Sequence, residues 1–372
     1  MVDIAKQIGV IDYLKISTGG HDAKLLHALL DSDVKIINIT YEYTSLSTEE
    51  EVSLLEKFYK KGYYQKGRAD GTSWFALPSI GIFADAIWSM GSIVKDLQHI
   101  IKEWDISILD YREQYEEPDF IQVLNEFDAV TWMCLASLNV FPELKNAAGM
   151  CLGLAEFNLF NSLTQEKMPK IMAGQNATTC AEMSLKYPNC EIYYTPASAR
   201  VSRFVPKKMA PKVKKLGWVG SSTHKKHGAF GDNKRESMFL EICEMAGKAA
   251  VFSESDYVYE NMQDFYNGVD VLLCTSLLEG GPLGPFEAIA CGVPVISTKV
   301  GLVAEMKTVP FFETKEEAWE LIKWYDQEGW QSLWEAQYKE FVESFSYEAT
   351  AYLWRRYFSA ATKYGNNQIH KS

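Results

Sequence analysis

Between Leu216 and Ser297 short apolar runs alternate with amphipathic or glycine-punctuated segments, and this alternation limits the fold more than any other feature of the chain. Strands are expected at residues 216–219, 249–253, 269–275 and 294–297, with helices at 236–246 and 262–266 between them and a shorter strand at 309–312. Strands that alternate with helices form parallel sheets covered on both faces, and such sheets bind ligands beyond the carboxyl ends of their strands. A site is therefore expected just after Val219, just after Thr275 and near Gly19.

The first half follows the same grammar less clearly. A strand at 10–17 runs into Thr18, Gly19 and Gly20, and a helix carrying Leu25, Leu26, Leu29 and Leu30 follows. The next strand is expected at 34–40. Phe83, Ala86, Ile87, Met90, Ile93, Val94, Leu97, Ile100 and Ile101 recur at helical spacing, so a helix is expected over that whole stretch, leading into a strand at 106–109. Further strands are expected at 127–134, 171–173 and 190–194. A basic, proline-flanked stretch at 206–211 then marks a boundary. The 372 residues divide into domains at 1–205 and 206–345, and a tail at 346–372 is helical, its aromatic residues reading as packing surface.

Composition excludes several classes. The net charge of −12 argues against a general nucleic-acid binder, although seven lysines between Lys207 and Lys226 form a local basic patch. Seven cysteines without a Cys-x-x-Cys pair support neither a disulfide framework nor a zinc site. The N-terminus lacks the basic start and apolar block of a secretory signal, and the apolar stretches at 77–94 and 129–142 are interrupted by Asp85 or too short to span a bilayer. A cytoplasmic protein is expected, with a peripheral membrane position as the alternative. Asp31-Ser32-Asp33 reads as a turn rather than a metal pair, and no spaced histidine pair suits zinc, so no metal is expected.

The segment from Val269 to Met306, VDVLLCTSLLEGGPLGPFEAIACGVPVISTKVGLVAEM, joins a buried strand to a glycine loop, a helix and a second buried strand. Glu279 and Glu287 are separated by seven residues within it. A glycine turn at a helix N-terminus offers free backbone N–H groups and a partial positive charge, which suit a diphosphate. With its flanks, Glu279-Gly280-Gly281 before and Glu287-Ala288-Ile289-Ala290-Cys291-Gly292-Val293-Pro294 after, the segment resembles the retaining glycosyltransferases of family 4, the glycosyl transferases of group 1.

The resemblance implies a GT-B fold: two Rossmann-like α/β domains whose parallel sheets face a central cleft, with a C-terminal helix crossing back to the first domain. It implies transfer of a sugar from a nucleotide-sugar donor with retention of configuration and without a metal or other cofactor. Glu279 would be catalytic, stabilising positive charge at the anomeric carbon. Gly280, Gly281, Leu283 and Gly284 would surround sugar and phosphates, and Glu287 would accept the ribose hydroxyls. Upstream, Leu216-Gly217-Trp218-Val219-Gly220-Ser221 to Gly228 is similar to the family's strand and phosphate-binding loop. Lys226 falls on the family's lysine position and would neutralise the leaving diphosphate, with Lys225 as substitute and Gly220 and Ser221 beside it. Ser221 stands where arginine is usual, and Arg200 stands where the family's inter-domain segment is acidic. The turn Gly19, Gly20 and His21 resembles the family's first glycine loop, with a plain strand-to-helix turn as the bland alternative.

The acceptor would be a glycan or lipid-linked glycan. A viral-type DNA-base glycosyltransferase is the alternative, motivated by the lysine patch and the stretch Tyr63 to Arg68. A donor-binding module without turnover and a sugar-nucleotide epimerase are the other rivals, and the acids and histidines that the epimerase needs are not evident.

Overall fold

A computed structural model describes residues 7–86, 89–110, 124–133, 147–152, 169–208, 212–220, 232–253 and 259–369. The described strands form three sheets. The first is mixed: β1 (Val10–Ile16) lies parallel to β2 (Lys35–Glu42), and the hairpin of β3 (Tyr64–Ala69) and β4 (Thr72–Ala76) adds antiparallel to β2. Helices α1 (Asp22–Leu30) and α2 (Thr48–Lys60) cover one face, burying Leu26, Leu29, Leu54 and Phe58 against Ile36, Ile39 and Tyr41. Ser47 starts α2 with a capping box, its hydroxyl accepting from the Glu50 N–H while Glu50 reaches back.

Two residues after β4 the chain enters the second sheet, which is parallel throughout. Its order is β10 (Glu191–Tyr194), β9 (Ile171–Gly174), β8 (Ala147–Leu152), β7 (Ala129–Trp132), β5 (Ser79–Ala84), β6 (Asp105–Asp110). Here the expectation of a helix starting at Phe83 fails: Phe83 belongs to strand β5, and the helix, α3, begins at Ser89 and ends at Ile100. The run from Ile80 to Ala84 is buried almost completely between β6 and β7, and a short run apolar on every side fits a central strand as well as a helix. Helix α4 (Ala177–Lys186) connects β9 to β10.

The third sheet, β12 (Ala249–Ser253), β11 (Lys215–Val219), β13 (Val271–Cys274) and β14 (Val295–Ser297), is also parallel. Period-two alternation divides its core. Leu216, Trp218, Val271 and Leu273 pack on α5 (Glu236–Ala246), α8 (Lys315–Glu328) and α9 (Trp330–Glu340). Leu272, Cys274 and Val295 face α6 (Met262–Asn267) and α7 (Leu283–Ala290). The strand expected at 309–312 is reduced to one bridge, Ser297 to Phe311. The last helix, α10 (Tyr347–Ile369), leaves this unit and packs on the second sheet, where Trp354, Tyr357 and Phe358 join Ile80, Ile82, Ile93 and Leu97 in one core. Among the described residues no helix is long and apolar enough to cross a membrane.

Candidate active site

Strand β13 is fully buried, and it delivers the chain through Thr275 and Ser276 into the loop Leu277–Pro282 before α7 starts. All eight residues of α7 are buried. The helix begins after Pro282, whose ring carries no hydrogen-bond acceptor, so no N-cap side chain satisfies the N–H groups of its first turn. Those groups and the helix dipole favour an anion at this end.

The loop is pinned from both halves of the molecule. The Gly280 carbonyl accepts from Leu302 N at 2.9 Å and from Asn176 Nδ2 at 2.9 Å, and Asn176 also caps α4 through Thr179 N. Gly281 has no room for a side chain, since a Cβ there would lie 2.6 Å from that of Ala197. Gly284 backs on Val219 at the end of β11, and Gly220, the next residue, lies against the Trp218 ring. The carboxyl ends of β11 and β13 thus meet at the glycine loop, where the strand alternation predicts a site.

Glu279 sits on this loop with 15% of its side chain exposed and pairs with Lys234 Nζ at 2.5 Å. The Ser276 hydroxyl donates to the same carboxylate oxygen at 2.8 Å. Burial opposes the charge of Lys234, and the Glu279 carboxylate outweighs it, leaving the ammonium with a pKa above its ordinary value. Lys234 is a cation at the loop that motif spacing missed. It lies two residues before α5, and its neighbour Arg235 anchors that turn by donating to the Thr275 carbonyl. Ser221, Lys225 and Lys226 lie outside the described residues, as do His224 and His227.

Glu287 is only 4% exposed. Its Oε1 accepts from Arg203 Nη1 at 2.9 Å and its Oε2 from the Tyr266 hydroxyl at 2.8 Å. Burial raises the Glu287 pKa above the usual glutamate range, with Arg203 and Tyr266 opposing the rise. Arg203, whose guanidinium stacks 3.8 Å from the Tyr259 ring, also reaches Asp96 on α3. Neither Arg203 nor Asp96 was legible from the motif; the one faint signal is an acid on the buried face of α3, beside Ile93 and Leu97.

The turn at Gly19 and Gly20 is left-handed, with φ of 62° and 110°. His21 precedes α1 without capping it, and Asp22, fully buried, accepts from the Thr18 N–H and hydroxyl and from Glu42 N. These contacts bind the turn to its own sheet rather than to the glutamate loop. In the stretch Tyr63 to Arg68, Tyr64 donates to Asp128, and Arg68 pairs with Glu51 at 2.6 Å and stacks on Tyr43. Asp31 pairs with Lys57. Among the described residues no cluster of three metal-ligating side chains occurs.

Comparison with known proteins converges on the same segment. Residues 229–308 match the family model Glycosyl transferases group 1, a span that contains Lys234, Glu279 and Glu287. A 70-residue stretch is 37% identical to the lipopolysaccharide core biosynthesis mannosyltransferase LpsB of Rhizobium meliloti (strain 1021), covering 18% of this chain and 20% of that one. The match thus spans about a fifth of that curated relative. The fold is similar to that of sucrose-phosphate synthase from Thermosynechococcus elongatus, with a TM-score of 0.54 at 12% identity, over 76% of this chain and 100% of that one. It is also similar to the catalytic domain of starch synthase IV from Arabidopsis thaliana, with a TM-score of 0.51 at 10% identity, over 77% of this chain and 99% of that one. A third likeness is to TarM of S. aureus, with a TM-score of 0.50 at 12% identity, over 64% of this chain and 58% of that one. The fold is thus of the GT-B type, and the buried strand, glycine loop and acid-bearing helix at the meeting of β11 and β13 lie in the segment, residues 229–308, that matches the glycosyl transferases group 1.

Proposed function

We propose that this protein transfers a sugar from a nucleoside-diphosphate sugar to a glycan or lipid-linked glycan, with retention of anomeric configuration and without a metal. The observation that carries the proposal is the Glu279–Lys234 pair at the lip of the glycine loop, directly before the uncapped start of α7. The N–H groups of Gly280, Gly281, Leu283 and Gly284 hold the donor sugar and phosphates. Lys234, with Lys225 and Lys226, neutralises the leaving diphosphate, with Gly220 and Ser221 at the donor. Glu279 stabilises positive charge as the bond from the anomeric carbon to the diphosphate breaks. The acceptor oxygen adds on the face the diphosphate leaves, and its proton passes to a diphosphate oxygen, so no protein nucleophile is needed. Glu287 receives the ribose hydroxyls. The two domains divide near residue 205, with the acceptor on the first and the donor on the second, and Gly19, Gly20 and His21 face the donor on closure.

The glycan acceptor is supported by the relative whose name places it in lipopolysaccharide core biosynthesis. The test is incubation of the purified protein with UDP-, GDP-, ADP- and CMP-sugars, with and without cell-envelope glycan extracts or duplex DNA. Nucleotide released from one donor and stimulated by a glycan extract supports the proposal; stimulation by DNA alone moves the acceptor to nucleic acid. Binding without release from any donor makes the protein a donor-binding module.

A further inference from the structure

An acid on the buried face of an amphipathic helix costs several kcal/mol unless it is paired, so its partners indicate what keeps it there. Asp96 is such an acid: it is 1% exposed and flanked on α3 by the core residues Ile93, Val94 and Leu97. Its partners lie outside the parallel sheet that α3 covers. Tyr259 donates its hydroxyl to Asp96 Oδ1 at 2.6 Å. The Arg200 N–H donates to Oδ2 at 3.3 Å, and the Arg200 guanidinium stands 3.5 Å from Oδ1. Arg203 Nη1 is 3.7 Å from Asp96 Oδ2 and 2.9 Å from Glu287 Oε1, so one guanidinium nitrogen serves two buried carboxylates on opposite halves of the molecule. Arg203 is itself 7% exposed, and its Nη2 donates to the Tyr259 carbonyl at 2.6 Å. Beside this chain, Lys95 of α3 pairs with Glu260 at 2.9 Å.

We propose that Asp96 is a positioning residue of the donor site: it orients Arg203, and Arg203 in turn fixes the carboxylate of Glu287, so that the donor acid is presented correctly only while α3 is docked on the Tyr259–Glu260 turn. The role rests on the assignment of Glu287 to the donor. Asp96 does not touch the nucleotide. Its effect travels through a planar guanidinium whose orientation, unlike that of an ammonium, is set by more than one acceptor at once. Nucleotide affinity in the second half of the molecule thereby depends on a side chain of the first half, and by linkage a bound nucleotide strengthens the contact between the halves.

Titration calorimetry with UDP, GDP, ADP and CMP tests the role on the parent protein, Asp96→Asn, Glu287→Gln and the double variant. Asp96→Asn is expected to weaken the nucleotide that the parent binds by about tenfold, the scale of one charge-assisted hydrogen bond, and to cost nothing further in the Glu287→Gln background. Tyr259→Phe removes one oxygen without altering the charge balance and is expected to give a loss of about threefold in the same direction, which covers the case of an Asp96 variant that does not fold. Unchanged affinity in both Asp96→Asn and Tyr259→Phe, or an Asp96 loss that persists in full beside Glu287→Gln, overturns the positioning role alone. A parent that binds none of the four nucleotides overturns the donor-site assignment and this role with it.

Discussion

Glu279 and Glu287 lie on one loop-helix segment, yet the structure treats the two ends of that segment in opposite ways. At the mouth of the loop, Glu279 is 15% exposed and pairs with a lysine whose side chain is a third exposed, so the pair borders solvent. At the root of α7, Glu287 is enclosed, with one oxygen held by Arg203 and the other by Tyr266. The difference teaches that spacing alone does not equalise two acids. On the proposed function, the first would change partners as charge moves and the second would keep a fixed geometry for the nucleoside.

The sharpest way to break this comparison is Glu279→Gln. It is expected to lower kcat by about a thousandfold, as loss of an aimed electrostatic group does, while nucleotide affinity stays near that of the parent. Equal losses in kcat and in nucleotide affinity would erase the distinction between the two ends. Lys234→Ala is expected to cost about a hundredfold in kcat/KM, because the cation opposite the leaving diphosphate is gone; a parental kcat/KM would return that role to Lys225 and Lys226 alone. Glu287→Gln, read by titration calorimetry, is expected to weaken nucleotide binding by about tenfold with a smaller change in kcat. A pH series sharpens the buried end. If Glu287 receives the ribose hydroxyls as proposed, binding needs its ionised carboxylate; burial raises the Glu287 pKa, so affinity is expected to fall as pH drops through that raised value, starting above the usual glutamate range near about 4.3. Glu287→Gln has no such titration and loses this part of the pH dependence. The smallest expected effect is that of a chelator: EDTA leaves the transfer rate unchanged if the lysines supply the positive charge.

Much of the second half was legible because its strands are short, buried on both faces and separated by glycine or proline, which restricts the choices at each step. The glycine loop was legible for the same reason: Gly281 tolerates no side chain beside Ala197, and a position with so little room leaves a recognisable word in the sequence. The first half was harder. Phe83 satisfies a helical period and a central strand equally well, and only its neighbours β6 and β7 decide between them. The β3–β4 hairpin announces itself by Asp70-Gly71, both at positive φ, but the flanking strands carry too few apolar residues to stand out. Lys234, Arg203 and Asp96 escaped for a different reason. Their importance lies in what faces them across 45, 84 and 104 residues of chain, and no local pattern encodes a partner at that distance.

The course of α10 has a consequence for how the protein is made. Its Tyr357 hydroxyl meets Thr131 at 2.5 Å across 226 residues, and Trp354 and Phe358 share a core with residues of β5, β6, β7, β9 and α3. A ribosome delivers that helix well after β5, β6, β7 and α3 have emerged, so the core they share with it stays partly uncovered until Trp354 and Phe358 arrive. Exposed apolar sheet is prone to aggregate, so slowing synthesis between Thr131 and Trp354 is expected to lower the yield of folded protein.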